Sequence, residues 1–225
     1  MTGRFGGVDP LAGKYYNINP YAYVANNPIK YIDPNGQDRR LIYDHKNQTI
    51  TIQATYYHSI NTGNSTRAGV AVFNSMKNLS YTDGNGTKYQ IVFDLRTKQT
   101  TTHREDADKD AAGNFLKLSG DLGEINGNKV LGLGGGKMVN IQQDARNDDF
   151  VVAHEMGHTL GMAIPQKAGE DNHAESGLMT KTVNSPKSSK TLDQKSVNEI
   201  IINGKGPVEE KQPSVLERIW DYLFK

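Results

Sequence analysis

The chain contains no cysteine. That absence excludes disulfide staples, thiolate metal ligands and cysteine nucleophiles together, so any metal site must be built from His, Asp and Glu. A surplus of charge of one sign is also missing. The 26 basic and 25 acidic side chains leave a formal net charge of +1, which argues against a protein that works by electrostatic attraction to nucleic acid or anionic lipid. No apolar run approaches the roughly 18 residues of a membrane-spanning helix, so no membrane insertion is expected. The opening MTGRFGGVDP lacks the apolar stretch of a secretory signal peptide, which leaves export to another route or to a longer precursor. Apolar residues are sparse, at 36% with a mean hydropathy of −0.65. A length of 225 residues still suits one domain of ordinary size with a short appendage.

What is present changes character along the chain. Residues 1–36 hold four of the eight prolines and five of the eleven tyrosines, and end in Asp33-Pro34-Asn35-Gly36, strong turn chemistry and a natural boundary. From Leu41 the pattern alternates. Leu41–Tyr43 and the series Ile50, Ile52, Ala54, Tyr56 predict a hairpin turning at residues 45–48. Asn64 or Ser65 is placed to cap a helix with apolar positions Val72, Phe73, Met76 and Leu79, broken by Gly84-Asn85-Gly86. Tyr89, Ile91, Phe93 and Leu95 predict a second strand, and residues 138–143 a third. Residues 98–128, with acidic Glu105, Asp106, Asp108 and Asp110, read as loop with at most a short strand near 115–118. Helices are expected over 148–160 and 193–202, then a linker over 204–214 and an amphipathic tail helix over 215–225. The domain reading is therefore 1–36, 37–203 and 204–225, with an α+β fold for the central part.

The helix over 148–160 carries His154-Glu155-Met156-Gly157-His158, an HExxH motif. Residues i and i+4 share a helix face about 6 Å apart along the axis, so two imidazoles can take two corners of one zinc tetrahedron. Glu155, the next residue, stands beside the metal rather than on it, where a carboxylate can take a proton from activated water. The implied cofactor is Zn2+ and the implied reaction is peptide hydrolysis. A third ligand must come from elsewhere, and Glu170, Asp171, His173 and Glu175 all lie just downstream. His173 is the softest donor of these and adds no charge.

The stretch His154 to Met162, followed by Ser176-Gly177-Leu178-Met179, resembles the metzincin clan of zinc endopeptidases, whose pattern is HExxHxxGxxH and then a methionine-containing turn. The resemblance implies a small domain with a twisted, mostly β-sheet, one long helix and a catalytic HExxH helix, and an edge strand, here 138–143, that pairs with extended substrate. It makes His154 and His158 ligands, Glu155 the base, Gly161 the sharp helix exit and Met179 the turn methionine. The third histidine of the pattern falls at Ile164, so the resemblance moves that ligand past an apparent insertion, 165–172, to His173. Asp171 and Glu175 are the alternatives there, and a gluzincin-type arrangement with Glu199 is a third. The specific letters are confined to 154–179 within a resemblance spanning about 41–203.

A second resemblance covers the N-terminus. Gly3-Arg4-Phe5, Asp9-Pro10-Leu11-Ala12, Asn19-Pro20-Tyr21-Ala22-Tyr23, Asn26-Asn27-Pro28-Ile29 and Asp33-Pro34-Asn35-Gly36 are similar to the end of the Rhs repeat-associated core. It implies that residues 37–225 are the effector cargo of a polymorphic toxin, secreted or delivered as part of a larger protein, with a protein or peptide substrate and an immunity protein as partners. It also raises Asp33 as a point of self-cleavage, against its reading as a plain turn residue. The rival to a metalloendopeptidase is a zinc-stabilised binding module, and Glu155 discriminates, because a purely structural site has no use for it.

Overall fold

The structure, a computed structural model, describes residues 39–125, 127–164, 171–181, 186–203 and 206–211, all within the unit that begins at Gln37. Alternation dictates its central strand: in β2 (Thr49–His58) the side chains of Ile50, Ile52, Ala54 and Tyr56 all enter the core. β1 (Arg40–Asp44) pairs antiparallel with the first half of β2, Leu41 facing Ile52. β4 (Lys88–Gln99) runs parallel to β2 along its whole length, and the crossover such a pair requires is α1 (Gly63–Ser75). The second half of β2 takes β5 (Gly113–Ser119) in place of β1. β9 (Met138–Gln142) lies parallel to β5, and β8 (Gly132–Gly135) closes that side, antiparallel to β9. β3 (Ser80–Thr82) flanks β4 and β10 (Val208–Glu210) flanks β1, which completes an eight-stranded mixed sheet among the described residues. A separate ribbon joins β6 (Glu124–Ile125) to β7 (Asn128–Lys129).

One sheet face carries the main core. α1 and α3 (Asp149–Thr159) pack there over Ile52, Phe93, Leu116 and Ile141, and they approach so closely that a Cβ on Gly69 would stand 2.6 Å from the Met156 sulfur. Tyr56 reaches the same layer, its hydroxyl 2.9 Å from Thr159 Oγ1. The next residues along the strands, Tyr57 and Phe115, point the other way and pack under Ala107 of α2 (His103–Lys109). α4 (Gln194–Asn203) follows the site segment and buries Val197 and Ile200. Mixed sheet and helices agree with the α+β expectation, and among the described residues no helix is long and apolar enough to cross a membrane.

Several local expectations are corrected. Helix α1 is led by Thr62, not Asn64 or Ser65, and ends at Ser75; Met76 and Leu79 are buried beyond it, where the Leu79 carbonyl accepts the Ile91 amide. Gly84–Gly86 belongs to the β3–β4 turn, which Asp83 organises by accepting the Asn85 and Thr87 amides. In the polar stretch 98–128 the strand expected near 115–118 is β5, but α2 stands where only loop was expected. That helix buries only Ala107, too little for a periodic signal, and is held by Thr100 and Thr102 hydroxyls on Asp106 and by Lys137 on its last carbonyls. The expected linker contains β10, because β1 offers it a free edge: Leu41 N–H donates to Pro207 O and Lys211 N–H to Tyr43 O. The junction segment 1–36, Asp33 within it, and the tail helix 215–225 lie outside the described residues.

Candidate metal centre

Asp148 starts the helix that carries the motif. Its side chain accepts the amides of Phe150 and Val151 at 3.0 and 3.2 Å, satisfying two donors that a helix N-terminus leaves open. Phe150, Val151, Val152, Ala153 and Met156 are buried, so the helix cannot rotate without losing its core contacts. That fixes the face on which His154 and His158 stand together, ring centroids 5.0 Å apart. After the Leu160 cap, Gly161 at φ 104° turns the chain away in a conformation costly for any residue with a Cβ.

The third imidazole arrives from the segment beyond α3. The His173 ring lies 5.2 Å from that of His154 and 5.2 Å from that of His158. One ring nitrogen from each of the three lies within 4.8 Å of the others, a group that can hold a metal ion. Each Nδ1 is engaged on the far side of its ring: His154 with Leu178 O at 2.8 Å, His158 with Met162 O at 3.1 Å, His173 with Asp171 Oδ1 at 2.8 Å. Carbonyl and carboxylate oxygens only accept, so Nδ1 carries the hydrogen and Nε2 presents its lone pair. Burial, then the neighbouring His173, holds His154 down at about 4, and burial with both neighbouring rings holds His158 at about 3. These two are neutral at physiological pH, the form that ligates, and the donor set fits a cation with an open position.

Among the described residues, none of the alternatives for third ligand joins this group. Asp171 stands behind His173 and also pairs with Lys181 at 2.6 Å; Glu175 is exposed; Glu199 accepts the Ala163 amide at 2.7 Å. Glu170 lies outside the described residues. His45, His58 and His103 serve elsewhere, against Tyr89, the Ser59 carbonyl and Phe115. Met179 is buried beneath α3, where a Cβ on Gly157 would stand 2.3 Å from its sulfur. The turn above it is tied by Ala174 N–H to Met179 O, with Gly177 at φ 84°.

Glu155 stays off the histidine group and packs against the sheet. It is 8% exposed, and burial raises its carboxyl to about 8, opposed by a hydrogen bond from the Gly134 amide. Alternate glycines of β8 make room for it: a Cβ on Gly132 would stand 2.5 Å from Glu155 Cγ, and one on Gly134 2.1 Å from its carbonyl oxygen. Sequence reasoning missed this pair; the available signal was glycine at every second position of Gly132-Leu133-Gly134. The edge of the sheet beside the site is β8, not 138–143, which lies inside between β5 and β8. The reason is that residues 132–135 fold back antiparallel onto β9.

No family model matches the chain, and no curated protein matches it.

Proposed function

We propose that this domain is a zinc-dependent endopeptidase of metzincin-like type. The observation that carries the reading is the position of Glu155, a buried carboxyl adjacent in the helix to one of three converging histidines and held against the sheet edge by the Gly134 amide. A purely ligating site gains nothing from a buried carboxyl there, because desolvating it costs free energy and adds no donor to the ion.

His154, His158 and His173 would hold the ion, each oriented through its Nδ1 partner. Zinc bound there supplies Lewis acidity, polarising a scissile carbonyl and making water acidic enough to be deprotonated near neutral pH. Glu155 takes the proton from the attacking water and returns it to the leaving amine, from its place beside the histidine group rather than in it. β8 carries strand pairing on one side only, toward β9, so among the described residues its other edge, apart from the Gly134 amide that Glu155 engages, is open to an extended peptide. The element order β2–α1–β4–β5–β8–β9–α3, with an antiparallel strand last in the sheet beside the motif helix, supports the metzincin-like reading. Delivery as the cargo of an Rhs-type toxin, with an immunity protein as partner, rests on the resemblance of residues 1–36 and belongs to the same proposal.

The test is zinc analysis together with hydrolysis of an unfolded protein such as casein, on wild type and Glu155→Gln. One zinc per chain in both, with cleavage only by wild type, supports the reading. Equal cleavage by the two proteins overturns it, and zinc in both with cleavage by neither leaves the binding-module reading in its place.

A further inference from the structure

Helix α4 carries a polar ridge, of which the sequence pointed only to Glu199, as a metal ligand. Lys195, Glu199 and Asn203 recur at i, i+4 and i+8, so they line one helix face, while Val197 and Ile200 enter the core from another. All three grip the backbone or side chains of the segment that joins the second histidine to the third. Asn203 Nδ2 donates to Gly161 O at 3.4 Å. Glu199, its side chain only 13% exposed, accepts the Ala163 amide on Oε2 at 2.7 Å and Asn172 Nδ2 on Oε1 at 3.3 Å. Lys195 Nζ donates to the carbonyls of Asn172 and His173. Asn172 also closes back on Ile164 O at 3.0 Å, so one carboxylate holds both ends of the segment together.

These attachments are one residue removed from the imidazole partners. Ala163 follows Met162, whose carbonyl orients His158, and it sits at φ 51°, a conformation an alanine holds only when its surroundings impose it. Asn172 stands between Asp171, which orients the third imidazole, and His173 itself. We propose that the Lys195–Glu199–Asn203 ridge is the positioning element of the metal centre: α4 sets the affinity for the ion by fixing where the His158 partner and His173 stand, without touching the ion. The inference rests on the metal-site reading given above. Glu199 thus keeps a role in the site, as a clamp on the segment rather than as a ligand.

The experiment measures zinc affinity of the full chain by competition with a chromophoric chelator, for wild type, Glu199→Ala, Lys195→Ala and Lys195→Arg. Far-UV circular dichroism and the melting temperature of each metal-free protein are recorded alongside. Losing a partner behind a ligand typically costs about 10–100-fold in metal affinity. Glu199→Ala is expected in that range, Lys195→Ala at its lower end, and Lys195→Arg close to wild type, all with unchanged metal-free helicity. The Co2+-substituted visible spectrum should shift in Glu199→Ala, which a merely stabilising residue would not cause. Wild-type affinity in both alanine variants overturns the inference while leaving the metal site intact. So does an affinity loss matched by lost helicity in the metal-free protein. If Glu199→Ala does not fold, Lys195→Ala against Lys195→Arg decides. A wild type that binds no zinc overturns the metal-site reading, and the inference with it.

Discussion

Gly134 lies flat against Glu155: its amide faces the glutamate's carboxyl group, and a Cβ built on it would stand 2.1 Å from the glutamate's carbonyl oxygen. The edge strand and the motif helix therefore meet backbone to backbone, and the same contact brings the proposed base to the rim of the strand proposed to receive substrate.

Gly134→Ala forces β8 and α3 apart. Overpacking of this kind costs about 1–3 kcal/mol, expected as a lowered midpoint in urea unfolding. Gly132→Ala meets first the Glu155 side chain, 2.5 Å from Cγ, rather than backbone. It should spare stability more and reduce peptide hydrolysis with zinc retained, measured as kcat on a fluorogenic peptide.

Glu155→Gln preserves shape and removes the proton acceptor. General acid–base groups contribute about 10²–10⁴-fold, so kcat should fall by that much while zinc content, measured by atomic emission, stays at the wild-type level.

His173→Ala removes one of three donors and should abolish tight zinc binding. Asp171→Asn leaves the donor and weakens its orientation, with an expected affinity loss of about 10-fold or more in the same chelator competition. Equal affinities for these two variants would contradict the assignment of Asp171 as the residue behind the ligand.

Chelation should lower the melting temperature of wild type, because an ion bound only by the folded state stabilises by mass action, about 2.7 kcal/mol at a hundred-fold excess over Kd. In His173→Ala the same chelator should change little, which differential scanning calorimetry can resolve.

Asp148→Ala removes the side-chain acceptor for two amides at the head of the motif helix. Loss of an N-cap costs about 0.5–2 kcal/mol, expected as a matching fall in stability with the zinc site still formed.

Much of the site was legible because its signals are local. HExxH spacing, the Asp148 cap and the Gly161 exit all act within a few turns of one helix, where residue order and helical period dictate geometry. The strands β2 and β4 were legible for a similar reason, since each buries one face and alternates over its length. Short or half-polar elements were not. α2 has one buried side chain and β10 none, so their existence depends on partners distant in the chain, Lys137 for the first and the edge of β1 for the second.

Residue order alone settled the chemistry on offer, namely two imidazoles one helical turn apart with a carboxyl between them and no thiol anywhere to compete. Which later donor joins them was left among His173, Asp171, Glu175 and Glu199, because a chain segment can deliver any of these when its path is free. Folding removed that freedom. The backbone returns over α3 so that Leu178 O meets His154, Asp171 turns to serve His173, and Glu199 is spent on the Ala163 amide. The first and last are hydrogen bonds between residues 24 and 36 apart, which only the folded chain makes, and they set the path along which the local Asp171–His173 pair reaches the other two imidazoles.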